Sequence, residues 1–397
     1  MWLSAAHLVL PDQVLDSGSL RIEDGLIAEI VEGPVAEPDL SLPDLTVIPG
    51  IVDMHGDMLE REIQPRPQAE FPVGLALLEL DKRLASNGVT TAFAAISFNW
   101  QAGNKLRTET RARQIIQTIN HMRENLLVDH RVHVRFEITN PQAAPLLDEL
   151  LRDGQVHLVC LNDHTPGQGQ YRNIEQYIKT MTEWRQTMVD TGLTENDLRR
   201  EVTERQNRPK VWDLAEEIVD VAKRRNVLLA SHDDDTPDKV AFVSSLGVRI
   251  CEFPVTMEAA RVAKDRGLFI AMGAPNALRG GSHSNNLSAV DAIRAGLVDM
   301  LASDYHPPSL LHAVFKLYHE AVVSLPQAIN LVTRNPARAV GMPDRGALAV
   351  GRQADLVLVE ESPFVRVRGT FRRGVPVYWA GAHFPAVKPA QEYMRQI

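Results

Sequence analysis

The chain of 397 residues has little cysteine and no long hydrophobic run, and each shortage excludes a class of protein. Its two cysteines, Cys160 and Cys251, lie in the apolar stretches HLVCL and RICEF, which predicts buried thiols. Two cysteines cannot build the disulfide framework of a small secreted domain. No stretch approaches the roughly 20 apolar residues of a membrane span. The N-terminal MWLSAAHLVLPDQ also lacks the basic and apolar regions of a signal peptide, so a cytoplasmic protein is expected.

Basic residues are also scarce relative to acidic ones. Lys and Arg number 42 against 51 Asp and Glu, which leaves a net charge of −9. A general nucleic-acid-binding protein would show a basic excess, so no nucleic-acid partner is expected. An anionic small molecule remains compatible, because metal ions and a few arginines create a local positive site in an acidic protein.

Both ends of the chain have the sequence pattern of short strands separated by turns. The segments AAHLVLP, SLRIEDGLIAEI and LTVIPG lie near the N-terminus, and ADLVLVE, RVRGTFRRG and VPVYWAG lie near the C-terminus. Asp-Gly, Gly and Pro separate these apolar runs, as expected between strands. Residues 1–48 and 346–397 are therefore predicted to form one small β-sandwich domain.

Between residues 49 and 345, apolar runs alternate with amphipathic helical stretches. The runs are GIVDMH, TTAFAAIS, VHVRFEIT, VHLVCLND, VLLASHD, RICEFP, LFIAMGAP and VDMLASD. Hydrophobic strands that alternate with helices predict an α/β protein with a parallel sheet, and eight such units predict a TIM (β/α)8 barrel. A doubly wound open sheet is the rival, but no GxGxxG follows the first strand.

One segment interrupts this alternation. Residues 165–210 are long, polar and mostly helical in pattern, which predicts an insertion after the fourth barrel strand. A solvated decoration and a lid over the barrel mouth are both compatible with the pattern. Lys210 and the arginines of 199–208 are expected on a solvated helix face rather than around a phosphate.

Side chains able to bind metal recur at the ends of the predicted barrel strands. In barrels of this type that rim carries the active site, whereas the opposite rim serves stability. A single histidine there would more often be structural, but convergence from five strand ends is difficult to attribute to chance. The predicted metal ligands are His55, Asp57, Glu137, His164, His232 and Asp304.

The residue types indicate the metal and the reaction. His55 and Asp57 are two residues apart, so on a strand they share a face. Mixed nitrogen and oxygen ligation suits one or two divalent ions, with Zn²⁺ favoured over Mn²⁺ and Fe²⁺. Asp304 is the predicted catalytic residue, which would contact metal and accept a proton from water. Such a centre hydrolyses an amide, an ester or a phosphate, and the ligands alone do not choose among them.

Several motifs resemble a known family. PGIVDMHGDMLE with PRP is similar to the first-strand signature of the amidohydrolase superfamily, and GALAVGRQADLVLV is similar to its C-terminal ending. SHDDDT, MGAPNALRGGSHSNNLSA and LASDYHPPSLL resemble its phosphonate-metabolism branch, which acts in the carbon–phosphorus lyase pathway. The resemblance implies the same six ligands. It also implies hydrolysis of α-D-ribose 1-methylphosphonate 5-triphosphate to the 5-phosphate and pyrophosphate. The chain differs from many superfamily members at Asp57, where a second histidine is common, and at Glu137, where a carboxylated lysine is common.

The substrate implied by this resemblance is a small polyanion, so basic groups and close-approaching backbone should line the mouth. Arginines 61 and 66 could instead form structural ion pairs, and the glycine-rich loop could be an ordinary turn. The predicted substrate-binding residues are Arg61, Arg66, Arg279, Gly280, Gly281, Ser282, His283 and His306.

Three questions stay open at this level. Asp233, Asp234 and Asp235 are expected to cap the next helix in part and to support metal ligands in part. A cyclic amide or N-acyl substrate is the alternative to the triphosphate, and a barrel that has lost its metals is a remote third hypothesis. A homodimer would be common for such barrels, but the sequence does not determine the oligomeric state.

Overall fold

The structure, a computed structural model, describes residues 1–66, 68–98, 105–188, 194–282 and 286–381. The strands in chain order are β1 Trp2–Val9, β2 Val14–Glu23, β3 Leu26–Glu32, β4 Leu40–Pro49, β5 Ile51–Gly56, β6 Val89–Phe98, β7 Asp129–Glu137, β8 Leu158–Asn162, β9 Leu228–His232, β10 Ile250–Glu252, β11 Phe269–Gly273, β12 Met300–Ala302, β13 Leu356–Glu360, β14 Arg366–Arg372 and β15 Val375–Trp379. The helices are α1 Leu59–Ile63, α2 Val73–Ser86, α3 Glu109–Met122, α4 Ala144–Arg152, α5 Ile174–Met188, α6 Glu195–Gln206, α7 Trp212–Arg224, α8 Pro237–Ser245, α9 Met257–Asp265, α10 Ala274–Arg279, α11 Ala289–Arg294, α12 Ser309–His319, α13 Leu325–Asn330 and α14 Arg334–Ala339.

The two strand-rich ends of the chain come together, as the sequence predicts, and the structure shows that they form one sheet. Its seven strands run in the order β15-β14-β13-β4-β1-β2-β3. β1 pairs with β4 in parallel, whereas β13 pairs with β4 antiparallel, so the C-terminal strands complete a sheet that the N-terminal strands begin. Alternating apolar side chains from both ends form its separate core, among them Leu20, Val47 and Phe371.

The eight predicted parallel strands are all present as β5 to β12, arranged in sequence order around the barrel. The seam between the first and last strands is closed near one rim by a parallel bridge between Gly56 and Asp304. At the other end, Leu331 and Val332 accept hydrogen bonds through their carbonyls from Leu301 and Val52. The (β/α)8 prediction is therefore confirmed, with the closing contact placed at the carboxyl ends of the strands.

Packing separates the barrel into an apolar lower part and a polar upper rim. Side chains such as Met54, Phe93 and Met300 fill the barrel interior, and a larger apolar layer lies between the strands and the surrounding helices. Cys160 and Cys251 are both buried and free, as predicted. Because the lower interior is filled, the space for a bound molecule in the described barrel lies at the carboxyl ends of the strands.

Gly56 lets the first and eighth strands approach closely at this rim. A Cβ at this position would lie 2.9 Å from Cε of Met58, 3.1 Å from Oδ2 of Asp53 and 3.2 Å from Oγ of Ser303. Asp53 meanwhile accepts hydrogen bonds from the backbone nitrogen and hydroxyl of Ser303, at 3.0 and 2.5 Å. A side chain at position 56 would push this buried link apart.

No helix in the described part of the chain is both long enough and apolar enough to cross a bilayer.

Candidate metal centre and substrate cavity

A cavity of about 650 Å³ opens at the carboxyl ends of the barrel strands. Residues from β5, the segments after β8 and β9, and the segment after β12 meet in its wall. The predicted metal ligands on the wall are His55, Asp57, His164, His232 and Asp304. Side chains that are far apart in the sequence therefore reach one concave site.

A buried carboxylate on the sixth barrel strand orients two of these histidines. Nδ1 of His55 and Nδ1 of His232 donate to the same Oε2 of Glu252, at 2.9 and 3.1 Å. Nε2 of His133 lies 3.4 Å from the other oxygen of this carboxylate. With Nδ1 protonated, the Nε2 lone pairs of His55 and His232 are available to other groups.

Burial keeps these imidazoles neutral. Burial, with a contribution from the positive charge of Arg135, lowers the pKa of His55 to about 3 and that of His232 well below its usual value. A neutral imidazole is the form that binds a metal ion. Both histidines are therefore in the ligand form at neutral pH.

Glu137 and His164 form a second pair on the same rim. Nδ1 of His164 donates to Oε2 of Glu137 at 2.6 Å, and the backbone nitrogen of His164 donates to Oε1 at 2.9 Å. Glu137 does not itself line the cavity, whereas His164 does. The carboxylate thus stands behind the imidazole, whose Nε2 faces the other site residues.

Asp233 places a carboxylate between the two histidines. Its Oδ2 lies 3.7 Å from Nε2 of His232 and 3.9 Å from Nε2 of His164. This oxygen is buried and lacks a hydrogen-bond partner among the residues that the structure describes, as does Nε2 of His55. Burial raises the pKa of Asp233 to about 6. Two imidazole nitrogens and an unsatisfied carboxylate oxygen at these spacings fit the ligand set of a divalent transition metal.

The backbone is strained at three of the strand ends. Asp233, Phe253 and Asp304 have φ values of 52°, 55° and 56°, in the left-handed region that residues other than glycine seldom adopt. They follow β9, β10 and β12, and all three line the cavity. Strain of this kind persists where surrounding contacts hold it, and it clusters at functional sites.

Asp304 lies where the barrel closes. Its backbone nitrogen donates to the carbonyl of His55 at 3.0 Å, and its carbonyl accepts from the nitrogen of Asp57 at 2.9 Å. Burial, and then the negative charge of Asp57, raises the pKa of Asp304 to about 7. The carboxyl is therefore balanced between its two protonation states near neutral pH, which suits a group that accepts and returns a proton.

Half of the eight predicted substrate-binding residues line the cavity. Arg61, Arg279, Gly281 and Ser282 line the cavity, and His283 lies outside the described residues.

Three other predicted substrate-binding residues do not line the cavity. Arg66 is exposed in a turn closed with Ala69, and Gly280 ends α10 with a φ of 81°. His306 is exposed, and its carbonyl accepts the hydroxyl of Ser309 at the start of α12.

The predicted insertion is docked against the barrel rim and contributes to the cavity wall. The nitrogen of Gly169 donates to Oδ2 of Asp235 at 2.8 Å, and Nζ of Lys210 lies 2.7 Å from Oδ2 of Asp163. Lys210 is thus in an ion pair rather than on a wholly solvated face. Wall residues from this segment are Gln170, Tyr171, Tyr177, Met181 and Arg205.

The expectation that the acidic run caps the next helix is wrong. Thr236 is the N-cap residue of α8, and its hydroxyl accepts from the nitrogen of Lys239 at 3.2 Å. Asp234 is instead buried, where its carboxylate accepts from Ser231 at 2.5 Å and pairs with Lys239 at 3.3 Å.

Several residues of the site, some on the cavity wall and some behind it, were missed by sequence reasoning. His133 and Arg135 precede Glu137 by four and two residues on β7, so strand alternation could have placed all three on one face. Glu252 is the last residue of its strand, as several predicted ligands are, and this position alone could have marked it as a residue of the site. Arg107 had no comparable signal, because it comes from outside the strand ends. The expectation of a solvated helix face is wrong for Arg205, which is buried and lines the cavity.

Comparisons with known proteins show which family this chain is similar to. A model described as the amidohydrolase family matches residues 207–378. The α-D-ribose 1-methylphosphonate 5-triphosphate diphosphatase of Escherichia coli strain K12 is 33% identical over 385 residues, which cover 95% of this chain and all of that protein.

Solved structures share the fold. N-acetyl-D-glucosamine-6-phosphate deacetylase from Mycobacterium smegmatis superposes with a TM-score of 0.64 at 17% identity, covering 95% of this chain and all of that one. Ochratoxinase from A. niger superposes with a TM-score of 0.64 at 15% identity, covering 99% and 98% of the two chains. At this identity the two structures support the fold alone.

Proposed function

This chain belongs to the phosphonate-metabolism branch of the amidohydrolase superfamily, and on that basis we propose that it hydrolyses α-D-ribose 1-methylphosphonate 5-triphosphate. The products are the 5-phosphate and pyrophosphate. The proposal rests on a relative of that activity whose whole length is matched. A divalent metal, with Zn²⁺ as the first candidate, is the proposed cofactor.

The observation that carries the choice of a polyanion is the pair of arginines on the cavity wall. Arg61 and Arg279 face the cavity, and neither has a carboxylate partner within the described ranges. The guanidinium of Arg61 lies over the ring of Tyr305, 5.7 Å from its centroid. Unpaired guanidinium groups in a concave site are suited to phosphate oxygens, which they bind in a bidentate manner.

The proposed metal ligands are His55, Asp57, His164, His232 and Asp304, and the geometry adds Asp233 to these candidates. Glu137, which the sequence predicts as a ligand, stands behind His164 and off the cavity wall. A divalent ion, when bound, supplies Lewis acidity that makes water nucleophilic near neutral pH. Glu252 supports the centre by keeping Nδ1 of His55 and His232 protonated. Glu137 does the same for His164.

Asp304 is the proposed proton acceptor. A water molecule attacks the α-phosphorus, its oxygen forms the new P–O bond, and its proton passes to the Asp304 carboxylate. The bond from the α-phosphorus to the bridging oxygen breaks, and pyrophosphate leaves with that electron pair. Asp304 is suited to this role because it lines the cavity and its backbone is held by hydrogen bonds to His55 and Asp57.

The deciding experiment compares a ribosyl triphosphate with a cyclic amide, using wild-type protein, Arg61→Ala and Arg279→Ala. The proposal expects metal-dependent pyrophosphate release, with kcat/KM reduced by about 10- to 100-fold in each variant, as for a lost hydrogen bond to a charged group. Arg66→Ala is the control, since this exposed arginine lies away from the cavity. Turnover of the amide, unaffected by either cavity substitution, would instead establish the alternative N-acyl or cyclic-amide hydrolase.

A further inference from the structure

Arg135 occupies an unexpected place in the centre. Its Nη2 donates to Nε2 of His232 at 3.0 Å and lies 3.4 Å from Nε2 of His164. Its Nη1 is 4.0 Å from Oδ2 of Asp57, and only 10% of its side chain is exposed. A permanent cation is therefore buried among candidate metal ligands.

The hydrogen bonds at Nδ1 determine the tautomers of His164 and His232. Nδ1 of His232 faces the carboxylate of Glu252, and Nδ1 of His164 faces that of Glu137. Each Nδ1 must carry the proton, because a carboxylate oxygen only accepts. Each Nε2 therefore has a lone pair, and both lone pairs are directed at the same guanidinium nitrogen.

These lone pairs belong to one of the groups of described residues that could hold a metal ion. Nε2 of His164, Nε2 of His232 and Oδ2 of Asp233 lie within 4.8 Å of one another. The Asp233 oxygen is buried without a hydrogen-bond partner among the described residues. A cation bound beside this oxygen would therefore stabilise it. A lone pair can serve the guanidinium or a metal ion, but not both at once.

We propose that Arg135 is a built-in competitor for the metal position formed by His164, His232 and Asp233. The guanidinium satisfies the two imidazoles when no ion is there, and its charge repels an ion that arrives. Metal binding at this position then requires the guanidinium to move away, so the position binds more weakly than its ligands alone would allow. The inference rests on the proposed function only in requiring a metal centre.

The test measures metal content rather than activity. Wild-type protein, Arg135→Gln and Arg135→Lys are dialysed against the same buffered low Zn²⁺ concentration, and bound zinc per chain is determined by mass spectrometry. We expect Arg135→Gln to hold one more ion per chain than wild type and to bind that ion at least 10-fold more tightly in calorimetric titration. Arg135→Lys, which keeps a positive charge, should stay close to wild type.

Arg107→Gln is the control variant. Arg107 also lines the cavity, but its guanidinium pairs with the carboxylate of Glu60, where Nε lies 2.9 Å from Oε2, and not with an imidazole. Its zinc content should equal that of wild type. Equal zinc content and affinity in wild type and Arg135→Gln would overturn the inference.

Wild-type protein alone supplies a second measurement, in case Arg135→Gln does not fold. Rising Zn²⁺ should load a further ion with an affinity at least 10-fold below that of the first. Two ions of equal affinity in wild type would also overturn the inference, while leaving triphosphate hydrolysis intact. Loss of hydrolysis with zinc binding as expected would overturn the proposed function alone.

Discussion

Nδ1 of His55 donates to Oε2 of Glu252 at 2.9 Å across the barrel, although 197 residues separate the two along the chain. The same oxygen also accepts from His232. Both side chains are almost completely buried, so a single carboxylate determines which nitrogen of each imidazole faces the cavity. This arrangement makes Glu252 a positioning residue for the centre.

The Glu252→Gln variant should bind metal about 10- to 100-fold more weakly, as expected when a group behind a ligating histidine is lost. The amide can keep an oxygen at the position that both imidazoles share, but it lacks the negative charge that makes Nε2 of each imidazole a stronger metal ligand. Competition with a chromogenic chelator measures the metal affinity. A circular dichroism spectrum of the variant that matches the wild-type spectrum shows that the fold is kept. Glu258→Gln, on the exposed side of α9, is the control, and equal affinities in both variants would contradict the prediction.

The Asp304→Asn variant should lose activity because the amide cannot accept a proton from water. We expect kcat for pyrophosphate release to fall about 10²- to 10⁴-fold, with a smaller change in KM. Asp291→Asn, an exposed position on α11, should keep the wild-type rate. Wild-type turnover by Asp304→Asn would remove this residue from the mechanism.

His157 should make the fold sensitive to mild acid. The backbone nitrogen of Val132 donates to its Nδ1 at 3.0 Å, so this nitrogen must be unprotonated. Burial, and then the charges of Arg131 and Arg123, lowers the pKa of His157 to about 4 from its ordinary 6.5. The stabilising contribution is therefore complete above pH 6.5 and is lost as the pH falls from 6.5 towards 4.

Between pH 7.5 and pH 5 this one group should reduce the free energy of unfolding by about 2 kcal/mol. Urea unfolding at the two pH values measures the change. In His157→Gln the side-chain oxygen can still accept from the backbone nitrogen of Val132, but it does not titrate. Between pH 7.5 and pH 5 the variant should therefore lose about 2 kcal/mol less of its free energy of unfolding than wild type does. An identical pH dependence in the two proteins would contradict the assignment to His157.

The Lys210→Met variant should loosen the insertion. Lys210 pairs at 2.7 Å with Asp163, whose side chain is only 4% exposed, and removing the ammonium leaves that carboxylate short of a partner. Thr165 still donates to it at 2.6 Å, so we expect a moderate loss of about 1–3 kcal/mol. Limited proteolysis within residues 165–210 should accelerate, whereas Lys179→Met on the exposed side of α5 should be cleaved at the wild-type rate.

Local sequence patterns were sufficient to predict most of the architecture. Continuous apolar runs such as TTAFAAIS became buried barrel strands, because a strand covered on both faces must be apolar along its length. The β-rich ends joined in one sheet, because exposed strand edges at either end need partners. The positions of His55, His232 and Asp304 at the cavity followed from their place at strand ends, since all parallel strands open towards one rim.

The roles of Arg135 and Glu252 were decided only by the tertiary structure. Both depend on hydrogen bonds to histidines on other strands, and barrel closure, not local periodicity, sets those distances. The positive φ values at Asp233 and Asp304 also arise from contacts around the rim, because neither residue adopts that conformation readily by itself. The sequence alone determined that side chains at the ends of the barrel strands, such as His55, His232 and Asp304, reach the rim. Which of them donate, accept or oppose a metal ion depended on how the closed barrel brings distant strands together.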